Sequence, residues 1–177
     1  MEEILKLALV ATLTLAAGSA GALAQPAAAP PVEAALIGPK GDAIGKITLR
    51  GGADLTVVRI AINAGGLTPG WHGLHFHAVG DCSDTGQFQL SKGHVNHDSS
   101  KHGLLNAEGP DDGDLPNIYA NADGSANAEV VTDLALSGER GLRDADGSAL
   151  VIHASEDDHS TQPIGNAGAR VGCAVIK

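Results

Sequence analysis

The sequence predicts an all-β fold class, an antiparallel sandwich or flattened barrel. Three observations carry this. Apolar residues come in short runs, some alternating with polar ones, and helix-spaced stripes are nearly absent. Clusters of Gly, Asp, Asn and Pro separate the runs. Two long stretches rich in His and Asp break the rhythm, and in a compact domain such loops usually carry function.

Residues 1–24 stand apart from this pattern. Lys6 precedes an apolar run over residues 7–17, and a small-residue stretch ends in Ala22-Leu23-Ala24. That is the layout of a secretory signal peptide with an A-x-A cleavage site. The run is short for a transmembrane helix. Glu2 and Glu3 dilute the basic start, and a retained N-terminal anchor is the alternative. Residues 25–33, rich in Ala and Pro, read as a tether, and the domain occupies residues 34–177.

Within the domain, strands are expected at 34–37, 43–49, 55–62, 74–78, 126–131, 149–154 and 170–176. Turns fall at Pro39-Lys40-Gly41-Asp42, Arg50-Gly51-Gly52, Asn121-Ala122-Asp123-Gly124 and Asp144-Ala145-Asp146-Gly147. The two long loops are 80–117 and 155–169.

The net charge is −10, and without residues 1–24, which hold one Lys and two Glu, it is −9. With no basic cluster, neither a nucleic acid nor an anionic membrane is an expected partner. Such a surface repels small anions at long range. The chain has two cysteines, Cys82 and Cys173, and an even count in an exported chain favours a disulfide over two free thiols. The closed loop of about 90 residues would contribute at most roughly 4–5 kcal/mol.

All eight histidines lie between residues 72 and 159. His75 and His77 are two residues apart in an expected strand, so both imidazoles leave one face. Taken alone, the pair is a metal site or two idle imidazoles. His94, His97 and His102 follow in the first long loop, and His153 ends the apolar run Leu150-Val151-Ile152. Imidazoles suit copper, zinc and other late first-row ions, and nearby carboxylates add harder oxygen donors. The chemistry expected is an exported, nitrogen-rich metal site on a β-scaffold.

Seven pieces of the chain resemble copper/zinc superoxide dismutases of the exported bacterial kind. They are His72-Gly73-Leu74-His75-Phe76-His77, Gly80-Asp81-Cys82, Gly93-His94-Val95-Asn96, Lys101-His102-Gly103, Gly113-Asp114-Leu115-Pro116-Asn117, Val151-Ile152-His153 and the run from Gly165 to Cys173. They stand in family order. The resemblance implies a Greek-key arrangement of about eight strands with two long functional loops. It implies a periplasmic enzyme that converts superoxide to O₂ and H₂O₂ with copper and zinc. The mature form would have no membrane partner, and both monomer and homodimer stay open.

The resemblance also implies site roles. His75, His77, His94 and His153 would bind copper, with His94 bridging to a zinc held by His102 and Asp114 as well. Arg170, above the copper, would guide the anionic substrate, and His94 would serve the proton chemistry. Cys82 and Cys173 would form the family's disulfide. Asp157 would link His75 to His102 and fix their rings, and His72 would brace the loops.

One position departs from the family pattern. A further zinc histidine is expected three residues before Asp114, where this chain has Asp111. Asp111 itself is one candidate ligand, because Asp oxygen is an accepted zinc donor near 2.0–2.2 Å. His97 is another, and a weak or empty zinc site in a copper-only enzyme is a third reading. Two carboxylates would also neutralise the dication, which favours Asp111. His97 and His159 otherwise read as exposed loop histidines. A non-enzymatic copper- or zinc-binding protein on the same fold is the competing function, although storage alone needs no anion-guiding arginine.

Overall fold

The computed structural model describes residues 29–177. The expected signal peptide and the first residues of the tether lie outside the described residues. Nine strands form: β1 Val32–Ile37, β2 Ala43–Gly51, β3 Thr56–Ile62, β4 Gly70–His72, β5 Leu74–His77, β6 Ile118–Ala120, β7 Ala126–Thr132, β8 Ser148–His153 and β9 Arg170–Ile176. Seven make one antiparallel sheet in the order β5-β8-β9-β1-β2-β3-β7, and β4 pairs with β6. β9 returns to lie beside β1 of the β1-β2-β3 meander, which is the Greek-key order. The sheet curls into a half-barrel around its core, as the sequence predicts.

Alternation in the sequence becomes burial. In β3, Thr56, Val58, Ile60 and Ile62 point inward while Arg59 faces solvent. In β2, Ile44, Ile47 and Leu49 are buried although 44 and 47 differ in parity. The pairing explains this: Leu36 faces Gly45 but Ile37 faces Ala43, so Ile44 is an extra residue in a bulge that resets the register.

β5 and β8 are buried on both faces. Their inner faces give Leu74, Phe76, Leu150 and Ile152 to the main core. Their outer faces give Ala149 and Val151 to a second cluster with Cys173 of β9 and with Cys82 and Phe88 of the loop above. His75 and His77 lie on this outer face, opposite Val151 and Ala149. The long loop of residues 78–117 therefore roofs the histidine face. A disulfide joins Cys82 to Cys173, with Cα atoms 5.9 Å apart, and pins that roof to β9.

Three features differ from the sequence expectation. β1 begins at Val32, inside the segment expected to be a tether. β4 and β6, of three residues each, were too short to show a period, and a 3₁₀ turn forms at Gln89–Ser91. A third long connection, residues 133–147, is tied to the roof by the Arg140–Asp98 ion pair at 2.6 Å and anchored by buried Leu134 and Leu142.

Candidate metal centre

The roof is stitched to the free edge of β5. Phe76 N–H donates to Gly113 O (2.9 Å), and Phe76 O accepts from Val95 N–H (2.9 Å). Isolated bridges pair His77 with His94 and His75 with Asp114. Gly113 passes so close to Phe76 O that a Cβ would collide with it and would crowd His94. This crossing sets the loop residues His94, Asp111 and Asp114 against the strand histidines.

Four of the buried imidazole nitrogens that meet no hydrogen-bond partner belong to the expected copper histidines: His75 Nδ1, His77 Nε2, His94 Nε2 and His153 Nε2. The opposite nitrogen of each ring is engaged. His75 Nε2–H donates to Asp157 Oδ2 (2.8 Å), His77 Nδ1–H to Lys92 O (2.8 Å) and His153 Nδ1–H to Gly168 O (2.9 Å). These acceptors fix the tautomers and leave lone pairs on the bare nitrogens. His75, His77 and His153 bring ligand atoms within 4.8 Å of one another, and so do His75, His94 and His102. The His94 ring stacks on His75 with centroids 4.2 Å apart.

Electrostatics favour the neutral form of His75, His77 and His153. Burial lowers His75 despite its Asp157 partner. Burial, then the Arg170 charge, holds His77 well below the usual imidazole range. Burial, then His75, lowers His153 to about 3. Buried polar atoms without partners are unfavourable by a few kcal/mol each. The convergent lone pairs of His75, His77 and His153, with His94 stacked beside them, therefore fit a soft-to-borderline cation that prefers nitrogen, and copper is such an ion.

The other nitrogen of His94 faces a second set. His94 Nδ1 lies 2.9 Å from Asp111 Oδ2 and 3.7 Å from Asp114 Oδ1, and His102 Nδ1 lies 2.5 Å from Asp114 Oδ1. The four residues place ligand atoms within 4.8 Å of one another. Asp111 is buried. Asp114 Oδ2 accepts from Gly103 N–H (2.6 Å) and Asp111 N–H (3.1 Å), which orients the carboxylate. Burial alone would lower His102, but hydrogen bonds to Asp114 and Asp157 outweigh it and raise His102 to about 10. Burial would raise Asp114, but His102 and Gly103 overcome it and lower it. The pocket favours positive charge, and two nitrogens with two carboxylate oxygens fit zinc.

Asp157 spans the two sets. Its side chain is fully buried, with Oδ2 on His75 and Oδ1 3.2 Å from His102 Nε2. Burial opposes its ionisation, but His102 and His75 outweigh that and hold it far below the carboxylate range. His72 lies between the carbonyl oxygens of His153 (2.7 Å) and Thr68 (2.8 Å), a brace between β4, β8 and the turn before β4.

Arg170 Nη1 donates to Phe88 O (2.6 Å) and Ser91 Oγ (3.0 Å), and Nη2 donates to Lys92 O (2.7 Å). None of these partners is a carboxylate, so its charge is not cancelled by a salt bridge. With His77, His94, Asp111, Pro163 and Ile164 it lines an open cleft of about 390 Å³.

Of the residues singled out in the sequence, the fold gathers all but one around this centre. His97 stands outside it, on the surface, where its N–H (2.6 Å) and Nδ1–H (2.9 Å) both donate to Asp112 Oδ2. His159, expected to be an exposed loop histidine, instead packs against Asp157, because its left-handed backbone turns the ring inward. The carbonyls that hold Arg170 carried no sequence signal, and Asn117, although part of a family-like piece, was given no role. A carbonyl belongs to every residue type, and only the fold selects which one is used.

The family profile "Copper/zinc superoxide dismutase (SODC)" matches residues 43–176. The superoxide dismutase [Cu-Zn] of Caulobacter vibrioides is 54% identical over 125 residues, covering 68% of this chain and 71% of that one. Superoxide dismutase [Cu-Zn] 2 of Aquifex aeolicus is 41% identical, covering 81% of this chain and 85% of that one. Among solved structures, a double mutant of a SOD-like protein from Bacillus subtilis superposes with a TM-score of 0.75 at 33% identity, covering 81% of this chain and 95% of that one.

Proposed function

We infer the work of each residue from one premise: the chain belongs to the copper/zinc superoxide dismutase family and dismutes superoxide with copper and zinc. The four bare imidazole nitrogens of His75, His77, His94 and His153 are the observation that carries the assignment of the copper ligands. His94, His102, Asp111 and Asp114 are the zinc ligands. When bound, copper supplies the one-electron couple that the reaction needs, and zinc, which has no redox chemistry, supplies a fixed positive charge.

The protein's own groups do the rest. Arg170 offers a half-buried cation in an otherwise acidic protein, so the anion is drawn to one cleft. The loop carbonyls hold the guanidinium at the cleft wall, where it orients superoxide beside His77 and His94. His94 takes up a proton at Nε2 and gives it to the reduced oxygen. Two superoxide ions and two protons leave as O₂ and H₂O₂, and a solvent proton completes the count. Lys92 O and Gly168 O keep His77 and His153 aimed while this happens. Asp157 does the same for His75 and His102.

The disulfide points to an oxidising compartment. We place the protein in the bacterial periplasm, with residues 1–24 removed on export. Among the described residues, no helix is long and apolar enough to cross a membrane. N-terminal sequencing of the periplasmic protein should begin at Gln25.

The decisive experiment measures superoxide consumption and metal content on copper- and zinc-loaded protein. Catalysis with one copper and one zinc per chain is expected. No catalysis by fully loaded protein would sink the assignment, and copper without zinc would remove Asp111 and Asp114 from the ligand set.

A further inference from the structure

We propose that His159 is a positioning residue for the metal centre, a third imidazole on the carboxylate of Asp157. The inference rests on the metal assignments above. The hydrogen-bond network dictates the role stepwise. Asp157 N–H donates to Asn117 Oδ1 (2.9 Å), which fixes the orientation of the Asn117 amide. Its Nδ2 then donates to Asp157 O (2.8 Å) and to His159 Nε2 (3.1 Å). Because His159 Nε2 accepts, the proton of the neutral ring sits on Nδ1. Nδ1 is buried, makes no hydrogen bond, and lies 3.5 Å from Asp157 Oδ2, the nearest carboxylate oxygen of the network.

The backbone of His159 makes the same connection. Its N–H donates to Asp157 Oδ1 (2.7 Å), and its carbonyl accepts from Leu105 N–H (3.0 Å) in the loop that carries His102. A left-handed φ of 57° at His159 lets backbone and ring both reach the carboxylate. Each Asp157 oxygen thus faces one ring held for the metals and one group of His159. His159 shares the negative charge that Asp157 places on His75 and His102, and it stops the carboxylate from rotating between them. Direct partners of metal ligands are typically worth about 10–100-fold in metal affinity, and a group one bond further out should be worth about 3–10-fold.

The test uses copper-loaded protein with cobalt(II) in place of zinc, together with zinc release to a chromophoric chelator. The variants are His159→Phe, His159→Gln and, as control, Asp157→Asn. The Gln amide offers an acceptor and a donor as the ring does; Phe offers neither. Phe is expected to shift the cobalt absorption bands and to speed zinc release by about 3–10-fold, with Gln restoring both towards wild type. If Asp157→Asn moves both readouts and Phe moves neither, the role of His159 is overturned while the metal assignment stands. Equal changes in Phe and Gln would also overturn it, leaving only packing. Three variants indistinguishable from wild type would overturn this proposal and the metal assignment together.

Discussion

The two halves of the metal centre are built differently. Three of the four histidines proposed for copper stand on strands, His75 and His77 on β5 and His153 at the end of β8. Every residue proposed for zinc lies in the loop of residues 78–117. A strand fixes the direction of a side chain through sheet pairing, so a ligand there has little freedom to change type. A loop can move its backbone to meet a shorter side chain. The departure from the family pattern, Asp111, falls in the loop half, and the loop brings it 2.9 Å from His94. The lesson is that scaffold rigidity decides where ligand chemistry can vary.

Breaking the strand half should have the largest effect. His77→Ala removes a rigidly placed ligand, and copper retention and superoxide turnover should each fall more than about 100-fold, read by metal analysis and rate. Asp157→Asn strikes the link between the halves and should weaken copper and zinc together by about 10–100-fold in competition titrations. Arg170→Ala spares both halves. It should slow turnover by about tenfold at low salt and flatten the salt dependence, with copper and zinc content unchanged.

Acid should also separate the halves in metal-free, disulfide-intact protein. Burial lowers His75, His77 and His153, the last to about 3. An unfolded chain binds protons at these histidines below about 6.5, whereas the folded chain does not. The stability held above pH 6.5 is therefore lost as pH falls towards 3. His102, raised to about 10, acts oppositely: its contribution is full below 6.5 and is lost as pH rises through 10. Thermal melting should show a shoulder-free decline on the acid side and a separate decline on the alkaline side. His102→Gln should abolish the alkaline one.

The smallest effect sharpens the comparison. Asp111→His should change zinc retention several-fold and copper retention hardly at all, measured by chelator competition. An equal change in both metals would show that the halves are not independent.

Much of the site was legible because its signals are local. The spacing of His75 and His77 declares a shared face wherever a strand forms, and short apolar runs bounded by turns declare the strands. What was not legible depends on contacts between distant segments. Nothing about His159 announces that Asn117 will set its tautomer, 42 positions earlier in the chain. Nothing about Phe88 or Lys92 announces that their carbonyls will hold Arg170. β4 and β6 escaped notice because three residues cannot display a period.

By itself, then, the sequence determined the all-β class, the disulfide-competent cysteine pair and the kind of metal chemistry, because residue type and short-range spacing encode these. Only the tertiary structure decided that Asp111 faces His94, that His97 stays outside, and that His159 joins Asp157. Each of those outcomes depends on how a loop crosses a sheet edge, and the crossing is set by long-range packing and backbone hydrogen bonds that every residue type can make.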